Sequence, residues 1–310
     1  YEVPRYPHAS GPAPSSKSRF WAGPWLVSAE LEMSDSSEGV NVGAWGEPTS
    51  SIDWCEDNYA VSYYVAEWWN TLSNIPIVIL CILAWHKAHH RSTFLPPHLR
   101  SAYLWLLLVF CGSTVFHATL SYAGQLLDEL PMIAGVCAYH VALSSRDSVG
   151  AFAGRTSTRI ATATTLAIGL LMYLLRDSPL PLQLSYGSLT VALVVRSVML
   201  YRSVEVPARR SLFLAMLVYG SAFLLWITER AICGLVKPFA FHAWWHLLSG
   251  TGTLIWIQFL AAYVLGSSRT VALVHHPRGL AHILPFIAID KTVPSTESHT
   301  PHPSLSAVRQ

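Results

Sequence analysis

Residues 240–265 read AFHAWWHLLSGTGTLIWIQFLAAYVL and contain no Lys, Arg, Asp or Glu. A helix needs about 20 apolar residues to cross the hydrocarbon core of a bilayer, and this stretch is long enough. It also carries two histidines, His242 and His246, close to its N-terminal end. The stretch therefore predicts a membrane-spanning helix that holds polar side chains inside the bilayer.

Six further apolar blocks precede this stretch. The seven blocks cover residues 64–86, 101–121, 125–145, 159–175, 181–201, 211–234 and 240–265. Only 12% of the residues are charged and 52% are hydrophobic, whereas soluble domains carry about 25% charged residues. The sequence thus predicts an all-α integral membrane bundle of seven helices, in which the block containing Arg196 is the weakest.

Basic residues near the ends of the blocks are distributed unevenly between the two sides of the predicted bundle. One side holds Lys87, Arg91, Arg100, Arg146, Arg155, Arg159, Arg202, Arg209, Arg210, Arg269, Arg278, Lys291 and Arg309. The loops between blocks on the other side hold only Arg176 and Lys237. Since Lys and Arg concentrate in cytoplasmic loops, this bias predicts a luminal N-terminus and a cytosolic C-terminus.

The chain divides into three predicted segments. Residues 1–42 are rich in Pro, Ser and Gly and are predicted to be flexible, residues 43–265 form an N-terminal cap with the seven-helix domain, and residues 266–310 form a polar cytosolic tail. A net charge of +2 gives no indication of a nucleic-acid partner. No obligate protein partner is predicted either.

Three histidines from two blocks are predicted to meet at one membrane depth. His242 and His246 are four residues apart and therefore share a helix face, and His117 lies near the same end of the second block. Three imidazoles leave the fourth position of a zinc ion open, which is typical of catalytic sites. The alternative is a hydrogen-bonded histidine pair between helices, but the matching depth of His117 favours zinc.

A general base has to come from another helix, because the Glu of the H-E-x-x-H pattern is missing between the two histidines. Asp128 is the intramembrane acid at the same depth, and Glu129 points about 100° away on a helix. Ser113 lies one turn from His117 and is a candidate to bind either a zinc-bound water or a substrate carbonyl. The alternatives are a buried hydrogen-bond partner for Asp128, and for Ser113 a bond to its own helix backbone.

Oxygen ligands are concentrated just before the first block. Asp53, Glu56, Asn58 and Glu67 have the chemistry of a calcium site, although helix capping explains the same composition. Cys55 and Cys233 both fall on the side predicted to be luminal and are candidates for a disulfide.

Five stretches of the sequence resemble the alkaline ceramidase family. They are 46–59 (GEPTSSIDWCEDNY), 66–74 (AEWWNTLSN), 112–117 (GSTVFH), 125–132 (QLLDELPM) and 241–246 (FHAWWH). The resemblance implies a seven-helix hydrolase that cleaves the amide bond of ceramides within the membrane of the endoplasmic reticulum or Golgi. The site residues that it implies are His117, His242 and His246 on zinc, Asp128 and Ser113 in catalysis, Asp53, Trp54 (through its carbonyl), Glu56, Asn58 and Glu67 on calcium, and a Cys55–Cys233 disulfide.

Two other functional classes are compatible with seven helices. Progestin and adiponectin receptors are similar in having seven helices and a three-histidine zinc site, and a lipid transporter or scaffold would need no open zinc position. The run Asp53-Trp54-Cys55-Glu56 favours the ceramidase branch.

Overall fold

The computed structural model describes residues 42–89, 95–145, 151–265, 271–273 and 287–289. The predicted flexible segment 1–42 lies almost wholly outside these residues, as does most of the tail. Within the described residues, seven helical spans are long and apolar enough to cross a membrane. The predicted all-α seven-helix architecture is therefore confirmed.

Eight helices make up these spans, because the first span is built from two. They are α1 (Trp68–Leu72), α2 (Asn74–His89), α3 (Pro97–Thr119), α4 (Tyr122–Ser144), α5 (Ala151–Leu174), α6 (Leu180–Met199), α7 (Val206–Val236) and α8 (Phe241–Leu265). Short 3₁₀ turns at Tyr201–Ser203 and Lys237–Phe239 lead into α7 and α8. The helix bounds lie within about five residues of the predicted blocks, except that α5 begins at Ala151 whereas its block was predicted from residue 159.

A short antiparallel ribbon lies in the tail and was not predicted from the sequence. Strand β1 (Val271–Leu273) pairs with β2 (Ile287–Ile289), with Val271 opposite Ile289. The ribbon follows the last span and contributes no residue to the site described below.

The core of the bundle is formed by α2, α3, α4, α7 and α8, with α8 the most buried span. Helix α8 is apolar on nearly all sides, which is typical of a helix surrounded by other helices. Helices α5 and α6 pack against α4 and expose large apolar side chains such as Leu166 and Leu184. The most protected helix is thus the one that carries His242 and His246.

Arg196 lies on α6 and is held by α4. Its guanidinium donates to His140 Nδ1 (3.2 Å) and to Ser144 Oγ (2.9 Å), and His140 Nε2 lies 3.0 Å from the Leu189 carbonyl. These contacts satisfy a charge that is costly in hydrocarbon when unpartnered. The weakest predicted block therefore forms a regular helix.

The segment 43–67 folds over one end of the bundle as a cap. Its backbone joins the C-terminal end of α3: the N–H groups of Ala66 and Glu67 donate to the carbonyls of Ala118 and His117, both at 2.9 Å. Leu120 ends α3 with a positive φ of 46°, and its carbonyl accepts two further cap N–H groups. The cap is thus tied to the helix that carries His117.

Candidate metal and hydrolase centre

Three histidines lie together inside the cap end of the bundle. One ring nitrogen from each of His117, His242 and His246 lies within 4.8 Å of the others. His117 comes from α3, and the other two come from the first two turns of α8. All three are buried, with at most 4% of each residue exposed.

His117 is oriented by a carboxylate from the cap. Its Nδ1 donates to Glu67 Oε2 at 2.5 Å, and Glu67 Oε1 accepts the backbone N–H of Trp54 at 3.2 Å. The proton on Nδ1 leaves the lone pair of Nε2 free, and that buried atom has no hydrogen-bond partner. A free, buried imidazole lone pair of this kind suits a metal ion.

His246 has a hydroxyl on each side. Ser73 Oγ lies 2.9 Å from Nδ1, and Ser113 Oγ lies 3.5 Å from Nε2. Ser73 occupies the break between α1 and α2, where its hydroxyl also donates to the Asn70 carbonyl. The interruption of the first span therefore brings a polar side chain to the ring.

His242 is held by an indole and approached by a carboxylate. The Trp54 ring stacks on the imidazole with centroids 3.7 Å apart and planes 26° apart. Glu229 Oε2, from α7, lies 3.4 Å from His242 Nδ1. Each of the three rings thus has an oxygen atom near its Nδ1.

Asp128 is brought to the site by a close approach of α3 and α4. Its carboxyl interacts with the Ser113 side chain. A Cβ added at Gly112 would lie 2.0 Å from the Leu127 carbonyl oxygen, so only glycine allows the two backbones to come this close. Gly112 therefore sets the distance between Ser113 and Asp128.

Glu129 faces away from Asp128, in agreement with its position one residue along the helix. Its Oε1 accepts from Gln125 Nε2 at 2.8 Å, and the same amide group donates to Ser51 Oγ at 2.7 Å. These bonds join α4 to the cap. The two neighbouring acids thus have different partners.

The oxygen-rich run of the cap is arranged around the start of α1. Asn58 Nδ2 donates to both carboxylate oxygens of Asp53 at 3.2 Å, while Asn58 Oδ1 is buried without a hydrogen-bond partner. Glu56 accepts the N–H groups of Trp69 and Asn70 at 2.7 and 2.9 Å. Glu56 therefore caps α1, which was one of the two interpretations of this composition.

Negative charges lie close together in this cluster. Burial raises the pKa of the Glu56 carboxyl above its ordinary value, and the charge of Glu67 raises it further. Two acids that disfavour each other's ionisation are stabilised by a cation between them.

Cys55 and Cys233 form a disulfide, with their Cα atoms 5.6 Å apart. It links the cap to the end of α7. Cys81, Cys111 and Cys137 are free thiols on the membrane-spanning helices.

An open cleft of about 320 Å³ lies between the cap and the end of α7, and none of the three histidines lines it. Glu56, Asn70, Glu229, Lys237 and Phe241 contribute to its walls. Lys237 pairs with Asp57 across this region. The cleft extends from the surface of the cap to Glu229, which approaches His242.

Three features of this site were not predicted from the sequence. No role was predicted for Ser73, and Trp54 was expected to act through its backbone carbonyl and not through its indole ring. Glu229 is an acid within the block predicted at 211–234, and no role was predicted for it. An acid inside a membrane span is itself a signal, whereas nothing in the sequence distinguishes Ser73 or the Trp54 ring.

Comparison with known proteins gives the family. Residues 46–280 match the Ceramidase family. The chain is 34% identical to alkaline ceramidase 3 of Mus musculus over 252 residues, which cover 76% of this chain and 90% of the relative. It is 32% identical to a putative alkaline ceramidase of Dictyostelium discoideum (78% and 96% covered) and 30% identical to an alkaline ceramidase of Saccharomyces cerevisiae (70% and 78% covered). This chain therefore belongs to the alkaline ceramidase family, a family of membrane hydrolases that act on the amide bond of ceramides.

Proposed function

We propose that this protein is a zinc-dependent ceramidase that releases a sphingoid base and a fatty acid from a ceramide in the bilayer. The observation that carries the proposal is the convergence of three buried imidazoles beside Ser113 and Asp128. A site buried between membrane-spanning helices suits a lipid, because the substrate can approach sideways from the bilayer.

The donor set fits zinc. Three imidazoles contribute nitrogen ligands, and the unpartnered Nε2 of His117 is directed away from Glu67. His117, His242 and His246 would hold the ion and leave one coordination position open. A zinc ion bound there lowers the pKa of a coordinated water and polarises the substrate carbonyl.

Asp128 and Ser113 supply the remaining chemistry. Asp128 accepts a proton from the attacking water and returns it to the nitrogen of the leaving sphingoid amine, so the amide C–N bond breaks and a carboxylic acid forms. The Ser113 hydroxyl donates to the carbonyl oxygen as negative charge develops there. Helices α3 and α4 are close enough at Gly112 for both side chains to reach one carbonyl.

A calcium ion is proposed for the cap, with Asp53, Glu56, Asn58, Glu67 and the carbonyl of Trp54 as ligands. The unpartnered Asn58 Oδ1 supports this proposal. Carboxylate oxygens have several lone pairs, so Glu56 and Glu67 can bind a cation while also accepting hydrogen bonds. Calcium here would hold the cap in the position from which Glu67 orients His117.

The proposed orientation places the cap in the lumen of the endoplasmic reticulum or Golgi and the tail in the cytosol. The uneven distribution of Lys and Arg supports it. The disulfide in the cap end also supports it, because disulfides persist in oxidising compartments.

The test is hydrolysis by the full chain purified in detergent, with a ceramide carrying a fluorescent acyl chain. We expect release of fatty acid, its loss after zinc chelation and its return when zinc is restored. Protein that contains zinc but releases no fatty acid from a panel of ceramides would contradict the proposal and favour a receptor.

A further inference from the structure

Glu229 has a buried oxygen that lacks a hydrogen-bond partner and points at a proposed zinc ligand. Glu229 is 3% exposed, and its Oε2 lies 3.4 Å from His242 Nδ1. Neither of these two buried atoms has a hydrogen-bond partner, so their approach is a close contact and not a formed hydrogen bond. Since unpartnered buried polar atoms are costly, the two atoms are natural partners for each other.

The ring of His242 has limited freedom because Trp54 covers one face, with centroids 3.7 Å apart. A stacked indole restrains tilting of the imidazole but leaves rotation within the ring plane less restrained. A carboxylate at Nδ1 restrains that rotation. It also fixes the proton on Nδ1, which leaves Nε2 free for a metal ion.

The other oxygen of Glu229 contacts the cap. Oε1 accepts the backbone N–H of Cys55 at 3.4 Å. Cys55 is bonded to Cys233, which follows Glu229 by four residues on α7. Helix α7 is interrupted at Ile232, just before this cysteine. The disulfide thus keeps the Cys55 amide beside the Glu229 carboxylate.

We propose that Glu229 is a positioning residue that orients His242 for zinc and couples zinc affinity to the Cys55–Cys233 disulfide. The inference rests on the proposed function, since it requires that His242 binds zinc. Loss of the disulfide releases the Cys55 amide from Oε1, and the carboxylate then holds the imidazole less firmly. Reduction of the disulfide therefore weakens zinc binding without removing a ligand.

The first experiment measures zinc affinity by competition with a chelator, on purified full-length protein. We expect Glu229→Ala to weaken zinc affinity by about 10- to 100-fold, the usual effect of removing the group behind a metal-bound histidine. Glu229→Gln keeps an acceptor but loses the charge, so we expect about a 10-fold loss. The matched control is Glu129→Gln, a buried acid that contacts Gln125 instead, and we expect it to bind zinc as the wild type does.

The outcomes separate this inference from the proposed function. If the wild type binds no zinc, the proposed function fails. If the wild type binds zinc and the folded Glu229 variants bind it equally well, the proposed function stands and the role of Glu229 is overturned. Monodispersity and thermal unfolding identify folded protein, and Glu229→Gln, which preserves shape, decides the question if Glu229→Ala does not fold.

A second experiment tests the coupling through the disulfide. We expect the double variant Cys55→Ser/Cys233→Ser to weaken zinc affinity in the same direction, with a smaller additional effect when Glu229 is already Ala. Such non-additivity is the signature of two groups acting through one connection. Fully additive losses, or no loss on removal of the disulfide, would overturn the coupling.

Discussion

Each imidazole of the candidate site has an oxygen atom near its Nδ1, and the three oxygens come from different elements. Glu67 belongs to the cap, Ser73 to the break in the first span, and Glu229 to α7. The histidines could be predicted from the sequence, because polar residues are rare in apolar blocks and the i,i+4 spacing is regular. Their partners depend on how distant elements pack, which local spacing does not determine.

Asp128, the proposed general base, gives the most specific prediction for a single residue. Asp128→Asn preserves the size of the side chain but cannot accept the proton, so we expect fatty acid release to fall by about 100-fold or more. Zinc content should stay at the wild-type level, because Asp128 is not one of the three histidines. Activity is measured with the fluorescent ceramide and zinc by elemental analysis.

The control for this variant is Glu129→Gln. Gln at this position can still accept the hydrogen bond from Gln125, and we expect its activity to remain close to that of the wild type. Retention of substantial activity by Asp128→Asn would remove Asp128 from the role of base.

Pairs of helices determine the distances between the proposed catalytic groups. The existence and approximate bounds of all seven spans could be predicted from apolar block length, and the structure confirms them. The split of the first span at Ser73 was not predicted, although Pro76 is a signal for it: proline has no N–H to donate to the carbonyl four residues earlier, which belongs to Leu72, the last residue of α1. Arg196 made one predicted block the weakest of the seven. In the structure its guanidinium is hydrogen-bonded to His140 and Ser144 of α4, and these partners depend on helix packing that the sequence pattern does not determine.

The contact between α3 and α4 is testable at Gly112. In Gly112→Ala the new Cβ meets the Leu127 carbonyl, so the helices must separate, and we expect a loss of stability of about 1–3 kcal/mol. Asp128 moves away from Ser113, so activity should fall more than zinc binding. Thermal unfolding, zinc content and fatty acid release measure the three effects.

Gly187→Ala is the matched control, because a Cβ at this glycine of α6 meets no atom within 4 Å. It should fold and hydrolyse ceramide as the wild type does. Normal activity in Gly112→Ala would show that the close approach of α3 and α4 is not needed for catalysis.

For the whole molecule, the number of spans constrains the placement of the two ends. Seven crossings require the cap and the tail to lie on opposite sides of the membrane. We expect a glycosylation acceptor site introduced into residues 1–42 to be modified in cells, and one introduced into residues 290–310 to remain unmodified. A shift in mass that glycosidase removes reports the modification, and the reverse pattern would invert the proposed orientation.

The calcium proposal also concerns the stability of the whole molecule. A ligand that binds only the folded state at about 100 times its Kd stabilises that state by about 2.7 kcal/mol. We therefore expect calcium to raise the unfolding temperature of the wild type and to have little effect on Asp53→Asn. Asp57→Asn is the control, because Asp57 pairs with Lys237 and is outside the proposed ligand set. An equal rise in all three proteins would place calcium elsewhere.

The backbone bonds between the cap and the end of α3 have a practical consequence. The N–H groups of Ala66 and Glu67 are hydrogen-bonded to the carbonyls of Ala118 and His117 on α3, so the cap is part of the frame that supports the candidate site. Shortened versions made for crystallisation or engineering should therefore start at or before residue 43. A version that begins at Trp68 would keep all three histidines. It would lose the Glu67 carboxylate that accepts from His117 and the backbone hydrogen bonds between the cap and α3.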